Sequence, residues 1–281
     1  MGEFQFSRVL IIQALKPTDF KSGIELKGYI DGLREDSPSV PLVDLIETGS
    51  KTDFLSILAS LASDCAQLRE QPILHIEAHG LENLCGLEFP DGSKLDWLDL
   101  AGPLGKLNEV SGFNMIICLA ACFGGHFLEG LKPDQPSPCF ALIGPTHATH
   151  GPELLGSFRG LYRELLVNLD LDEALRALHA HRLDKGGFLT ITAEEWFFNL
   201  TAKYLNEGCT RESLQKRADY IRADLEEEGK TVPMATVLQQ GKELARGFLH
   251  RRFETFFMTN EIPSNAKRFA ESFEKAERSA E

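Results

Sequence analysis

The sequence lacks long apolar runs: none approaches the roughly 18 to 20 consecutive apolar residues that a membrane-spanning helix needs. Its first residues, 1–6, also lack the basic start and apolar stretch of a secretory signal peptide. It contains no internal repeat and no low-complexity segment. These absences predict a soluble, cytoplasmic protein that has no membrane partner.

Basic residues are in the minority, with 29 Lys and Arg against 42 Asp and Glu, which gives a formal net charge of -13. Such a chain repels phosphates, so we expect no direct nucleic-acid binding. Cysteine is also scarce, and the six cysteines are scattered, several within apolar runs, which predicts reduced thiols rather than a disulfide framework. The hydrophobic fraction of 43% is typical of a globular fold that buries a core.

Short aliphatic runs recur in the first part of the chain, and such runs are typical of strands covered on both faces in a parallel sheet. They are Arg8–Leu15, Pro72–Gly80, Asn114–Ala121 and Cys139–Gly144. Amphipathic helical patterns separate them, one beginning near Thr52, and Asp91-Gly92 predicts a hairpin after the second run. This alternation predicts an α/β fold with a mainly parallel sheet, whose sites lie beyond the carboxyl ends of the strands.

The second half of the chain carries helix signals. Pro152 can begin a helix, and Asp170 with Glu173 forms a capping box for the next one. The α/β domain is therefore predicted to span residues 1–185. After Gly187 the strand pattern disappears, and residues 186–281 are predicted to form an α-helical extension that packs on this domain. The candidate helices of the extension are 193–207, 210–228, 234–258 and 265–279.

Two residues with catalytic potential follow different strands. His79 ends the second run and Cys122 follows the third. A catalytic cysteine reacts as the thiolate, which a neighbouring histidine can generate by taking its proton. We therefore predict Cys122 as the nucleophile and His79 as its general base, with the N–H groups of Gly80 and Cys122 holding the oxyanion. Gly124 and Gly125 are expected to let a substrate backbone approach, and the segment after them to direct N–H groups at the sulfur.

The paired motifs ILHIEAHG and IICLAACFGG resemble those of caspase-like cysteine peptidases, and CHAT domains look most similar. Further likeness lies in the leading His75, in GLEFPDGSKL between the motifs, and in ALIGPT followed by LDEALRAL. The resemblance covers roughly Val9 to Leu183. It implies a caspase-like three-layer α/β/α sandwich and a cysteine endopeptidase without cofactor or metal. It also implies a prokaryotic effector, in antiviral or other host defence, that a protein partner activates and that cuts a dedicated protein substrate.

Other residues near these motifs are candidates for substrate binding. Glu77 shares strand parity with His79, so it can orient that histidine, shape a pocket for a basic side chain, or simply pair with a cation. His147 stands near the point where members of the family often carry a tryptophan, and Glu153 follows it. Together with the acidic net charge, these carboxylates predict cleavage after a basic residue.

Several other interpretations compete with this one. Cys118 and Cys139 lie in strand runs and are expected to be core thiols. Cys118, Cys122 and His126 cannot share one zinc ion, because residues i and i+4 of a strand lie roughly 13 Å apart. Three further functions stay open: a catalytically silent caspase-like binding module, a different cysteine-dependent acyl hydrolase or transferase, and a structural adaptor whose helical extension is the working part.

Overall fold

The computed structural model describes residues 6–129, 131, 135–181, 183, 186–208, 211–227, 233, 236 and 249–278. These residues divide into two compact units. The first unit contains the described residues up to Leu131 together with Ser137–Thr192, and the second contains residues 135 and 136 and those from Ala193 onward. None of the described helices combines the length and the apolar character that crossing a bilayer requires.

The first unit is an α/β/α sandwich built on a mixed, mostly parallel sheet. Its strands are β1 (Arg8–Ala14), β2 (Leu42–Glu47), β3 (Pro72–Gly80), β4 (Gly86–Glu88), β5 (Lys94–Asp96), β6 (Ile116–Ala120), β7 (Ala141–Pro145) and β8 (Phe188–Thr192). The order across the sheet is β2-β1-β3-β6-β7-β8, in which β8 alone of these six is antiparallel. The hairpin of β4 and β5 pairs with the end of β3.

Helices cover both faces of this sheet. They are α1 (Ser22–Asp36), α2 (Lys51–Leu68), α3 (Trp97–Val110), α4 (Gly151–Arg163) and α5 (Leu171–Ala180). The connection through α1 leads from β1 outward to β2, whereas α2 leads back across β1 to β3. Right-handed crossovers therefore place α1 and α2 on opposite faces. The helices α1, α4 and α5 share one hydrophobic core with the sheet.

The aliphatic runs form strands for the expected reason. All residues of β6 are buried, as are those of β1 from Val9 onward, which confirms that continuous apolar runs mark strands covered on both faces. Gly92 has a φ of 84° in the β4–β5 hairpin, a left-handed conformation that glycine adopts without strain. One half of the predicted capping box at α5 is confirmed, because the Asp170 carboxylate accepts a hydrogen bond from the Glu173 amide at 2.9 Å. The reciprocal half is wrong, because the Asp170 amide donates to the Glu164 carbonyl oxygen at 3.2 Å and the Glu173 carboxylate accepts from Arg176 at 2.8 Å.

The β structure does not end at Gly187, and this expectation is wrong. Phe188–Thr192 form β8, so the first unit extends to Thr192 instead of ending at 185. The strand was missed because its residues after Phe188 are only half-buried, and two of them are threonines, so no continuous aliphatic run marks it. The sequence pattern also missed α1 and β2. β2 is an edge strand whose Leu42 is exposed.

The second unit is helical in its described part. Its helices are α6 (Ala193–Gly208), α7 (Arg211–Glu227), α8 (residues 249–256), α9 (Ser264–Arg268) and α10 (Ala270–Arg278). Most of the helix predicted for 234–258 lies outside the described residues. An aromatic cluster forms the core here: the ring centroids of Phe257 and Phe269 are 4.3 Å apart, and those of Trp196 and Phe256 are 4.9 Å apart. Packing of this unit on the first stays a prediction.

Candidate active site

The candidate site lies where the strand order of the sheet reverses. β1 pairs with β2 on one side and with β3 on the other. The chain therefore runs from β1 to β2 at one edge of the sheet and then crosses back over β1 to β3. In open α/β sheets, ligands bind beyond the carboxyl ends of the strands at such a switch point. The segments after β1, β3 and β6 supply the side chains of the site.

His79 and Cys122 come from adjacent strand ends. β3 pairs with β6 in parallel as far as Glu77 and Ala120, and His79 and Cys122 each come two residues after that last pair, with Cys122 in the turn that follows β6. The two backbones meet at Gly80, where a Cβ atom would lie 1.7 Å from the carbonyl oxygen of Cys122. Only glycine fits at this position. The structure thus brings the predicted nucleophile and the predicted base to one place.

Cys122 lies in a tight turn and is partly buried. The next residue, Phe123, has a left-handed backbone with a φ of 62°. The Thr149 amide donates to the Cys122 sulfur at 3.4 Å, and the thiol donates to the Thr149 carbonyl oxygen at 3.6 Å. Within the described part of the chain, the sulfur makes no hydrogen bond to His79. Catalytic hydrogen bonds are often long in ligand-free enzymes and tighten when substrate binds.

Gly124 and Gly125 pack against the protein's own strands, which is not the role predicted for them. The Gly124 amide donates to the Ala121 carbonyl at 2.9 Å, and a Cβ atom at Gly124 would lie 2.7 Å from the carbonyl oxygen of Leu119. A Cβ atom at Gly125 would lie 3.1 Å from the Gly144 carbonyl oxygen in β7. The expectation that these glycines admit a substrate backbone is wrong, because the protein's own strands occupy that space.

A short 3₁₀ helix, Gly124–Leu128, follows this turn. The sequence suggested that amides at its start would point at the Cys122 sulfur. Instead, the amide that reaches the sulfur belongs to Thr149, in the loop between β7 and α4. The correction follows from the bend at Phe123, whose own amide donates to the His147 carbonyl oxygen at 3.4 Å.

A carboxylate that the sequence analysis did not single out holds His79. Oδ2 of Asp19 lies 2.8 Å from Nε2 of the imidazole, and the Lys16 amide donates to the same oxygen at 2.7 Å. The His79 side chain is 46% exposed and that of Asp19 24%, so the pair stands at the open rim of the sheet. Asp19 follows β1, the strand beside β3. Its place after a buried strand marks it as a candidate, but only the strand order places it beside His79.

Opposing effects set the charge of Asp19. Burial raises the pKa of its carboxyl group, but the hydrogen bonds from His79 and the Lys16 amide, with the charges of both residues, outweigh burial and lower the pKa below its usual value. Asp19 is therefore ionised at neutral pH. Glu88 is the cross-strand partner of His79, and its carboxylate lies 3.4 Å from the Lys16 ammonium. Asp19 thus contacts the imidazole directly, and Lys16 and Glu88 are its charged neighbours in the described part of the chain.

Glu77 lies beneath the rim of the site. It is 3% exposed, and its Oε2 accepts a hydrogen bond from the Ser22 hydroxyl at 2.5 Å. Its Oε1 lies 3.0 Å from Nε2 of His75, whose Nδ1 lies 3.1 Å from the Tyr162 hydroxyl. Of the roles that the sequence left open for Glu77, the structure shows the pairing role, with His75 as partner. It does not place the carboxylate on His79 or on an exposed pocket wall.

His147 and Glu153 flank the loop that contacts Cys122. His147 is exposed, with Nδ1 2.9 Å from the Thr146 hydroxyl, and it lies against Gly186, where a Cβ atom would be 2.0 Å from Nδ1. Glu153 is in the first turn of α4, and its Oε2 is buried without a hydrogen-bond partner among the described residues. Both residues are therefore near the site, and neither contacts the Cys122 sulfur.

The other described cysteines differ from Cys122. Burial raises the pKa of Cys118 to about 12 and that of Cys65 to about 11, and it raises the pKa of Cys139 as well. Cys85 is exposed, and Cys209 lies outside the described residues. Among the side chains that the structure describes, no group of three His, Cys, Asp or Glu residues is arranged to hold a metal ion.

The chain matches no protein-family profile and no curated protein.

Proposed function

We propose that this chain is a cysteine endopeptidase of the caspase-like, CHAT-domain kind, with Cys122 as nucleophile and His79 as general base. The observation that supports it most strongly is the meeting of two strand ends at Gly80, beside the switch point of the sheet. The resemblance of ILHIEAHG and IICLAACFGG to the family motifs gives separate support.

The proposed reaction passes through an acyl-enzyme. Cys122 attacks the carbonyl carbon of the peptide bond while its proton passes to His79, and His79 then gives that proton to the leaving amine. The N–H groups of Gly80 and Cys122 hold the oxyanion of the tetrahedral intermediate. The paired register of β6 ends at Ala120, so the Cys122 amide lies beyond the described pairing of β3 with β6. Water then hydrolyses the thioester.

The proposed substrate is a dedicated protein, cut after a basic residue in the cytoplasm, with a protein partner as the activating signal. Glu153 supports the preference for a basic residue, because its carboxylate lies in the first turn of α4, directly after the Thr149 loop, and a carboxylate favours a guanidinium or ammonium group. Its Oε2 is buried, so the side chain has to rotate for a substrate cation to reach that oxygen. Prokaryotic defence is proposed on the family resemblance alone.

Profiling with electrophilic peptides tests the substrate preference. Probes with Arg or Lys at the cleaved position should label Cys122 faster than matched probes with Asp or Leu. Glu153→Gln should reduce this preference, and Glu173→Gln, an exposed glutamate paired with Arg176 on α5, is the matched control. A preference for Asp or for an apolar side chain would remove the basic-residue proposal while leaving the nucleophile in place.

A catalytically silent binding module is the second candidate. The observation that favours it is the hydrogen bonding of the Cys122 sulfur to Thr149 instead of to His79. Iodoacetamide labelling separates the two candidates, because Cys85 is an exposed thiol that serves as an internal reference. A catalytic Cys122 should react faster than Cys85 at neutral pH, and a silent one should react no faster.

A further inference from the structure

The strand order of the sheet places His79 between the segment that carries the Asp19 carboxylate and the segment that carries the Cys122 thiol. β3 has β1 on one side and β6 on the other. Asp19 follows β1, and Cys122 follows β6. The two ring nitrogens of an imidazole point in divergent directions, so a ring whose Nε2 faces Asp19 at 2.8 Å directs Nδ1 away from the β1 side. The nitrogen left for Cys122 is therefore Nδ1.

The loop that carries Asp19 is fixed by its own hydrogen bonds. The Asp19 amide donates to the Lys16 carbonyl at 3.0 Å, and the Lys16 amide donates back to Oδ2 at 2.7 Å. The Lys21 ammonium donates to the Leu15 carbonyl at 2.8 Å, and the Phe20 ring abuts Gly151 at the start of α4. None of these contacts involves His79. The Asp19 carboxylate is thus held in place by contacts that do not depend on His79, as a positioning group needs to be.

We propose that Asp19 is the positioning residue of this site, holding Nε2–H of His79 so that Nδ1 accepts the Cys122 proton. This inference rests on the proposed function of the same site. When the proton moves from sulfur to Nδ1, the ring becomes an imidazolium, and the Asp19 carboxylate stabilises that charge without taking a proton itself. The same proton later leaves with the amine, so Asp19 ends each turnover unchanged.

Alkylation of Cys122 by iodoacetamide across pH 5 to 9, read by mass spectrometry, tests this role without a known substrate. Asp19→Asn should lower the Cys122 rate at neutral pH by about 10-fold or more and move the profile to higher pH, because the imidazolium loses its carboxylate partner. Cys85 labelling should not change. Asp31→Asn, which alters a partly exposed aspartate paired with Lys27 on α1, should leave the rate profile as in the parent protein. Among the described charged groups, Asp19 faces His79 directly, Glu88 is its cross-strand neighbour, and Lys16 pairs with Glu88.

The double variant decides whether Asp19 acts through the imidazole. In a His79→Ala background, Asp19→Asn should have no further effect on the Cys122 rate, whereas a structural role would give the same loss in both backgrounds. Nitrogen NMR of the unmutated protein adds a test that needs no variant to fold: neutral His79 should carry its proton on Nε2. Protonation of neutral His79 on Nδ1 would overturn the proposal. So would an Asp19→Asn variant whose Cys122 alkylation rate depends on pH as in the parent protein. If His79→Ala itself leaves Cys122 labelling unchanged, the proposed dyad fails instead.

Discussion

A histidine and a cysteine occur twice along β3 and β6, four residues apart. His75 stands opposite Cys118 in the strand register, and His79 and Cys122 lie four residues further along the two segments, beyond the last pair of that register. Neither His75 nor Cys118 exposes any surface, whereas the His79 side chain is 46% exposed at the carboxyl end of its strand. The inner pair and the outer pair therefore have the same composition and opposite environments.

Position along a strand therefore decides what a histidine and a cysteine can do. Burial raises the pKa of Cys118 to about 12, so the inner thiol stays protonated and inert. His75 is held by the Glu77 carboxylate and the Tyr162 hydroxyl, which leaves it no free nitrogen. The outer histidine has Nε2 on Asp19, and its Nδ1 makes no hydrogen bond to the residues that the structure describes.

The largest predicted contrast is between the two histidines. His79→Ala should lower the rate at which an electrophilic peptide labels Cys122 by about 100-fold or more, because the thiol loses its base, and it should leave stability nearly unchanged. His75→Ala should instead lower the free energy of unfolding by roughly 3 kcal/mol or more, because Glu77 is left buried without its partner. Labelling kinetics and urea denaturation measure the two effects. A large stability loss in His79→Ala would contradict the comparison.

Two glycines test the contact between the strand ends. Gly80→Ala should displace the Cys122 carbonyl, lower stability by roughly 1–3 kcal/mol and slow labelling of Cys122, because the added Cβ atom has no room. Gly28→Ala is the matched control, since a Cβ atom at Gly28 in α1 meets nothing within 4 Å. It should stabilise the protein by about 0.5–1 kcal/mol through helix propensity. Normal labelling in Gly80→Ala would mean that this contact does not build the site.

Removal of the inner thiol should affect only the buried interior, through lost packing and the lost hydrogen bond with Tyr162. Cys118→Ala should cost about 1 kcal/mol or somewhat more of stability, because a fully buried side chain loses its contacts. Labelling of Cys122 should continue at the rate of the parent protein. Loss of that labelling would show that the inner and outer pairs are coupled.

The smallest predicted effect concerns acid stability. The pKa of Asp19 is lower in the folded chain than its usual value, so the unfolded chain binds the proton more readily. The stabilisation is fully present above the usual aspartate value and is lost as the pH falls through the lowered one. Thermal melts from pH 7 down to pH 2 should therefore show a smaller acid loss in Asp19→Asn than in Asp31→Asn. An equal loss of stability in the two variants as the pH falls would contradict the lowered pKa of Asp19.

Much of the fold could be predicted from sequence because buried parallel strands have a strong signal. β1, β3, β6 and β7 are continuous apolar runs, and their core positions follow from that pattern. β2 and β8 are edge strands with exposed or half-buried residues, so they lack the run that marks the others. A predicted boundary at residue 185 would remove β8 from the sheet.

The candidate site was only partly predictable. His79 and Cys122 could be found because glycines and strand ends mark them, and parallel strands end together. Asp19 could not be assigned, because the bond to His79 depends on which strand lies beside β3, and sequence patterns do not give strand order. The role of Gly125 was missed for the same reason, since its packing against Gly144 joins distant parts of the chain.

The most direct test of the central claim is labelling by an electrophilic peptide probe, with mass spectrometry of every cysteine and with any required activating partner present. We expect that Cys122 is modified first, that Cys118 and Cys139 stay unmodified in the folded protein, and that Cys122→Ala abolishes both labelling at this position and peptide hydrolysis. Modification of Cys118 or Cys139 in place of Cys122, or full activity in Cys122→Ala, would contradict it.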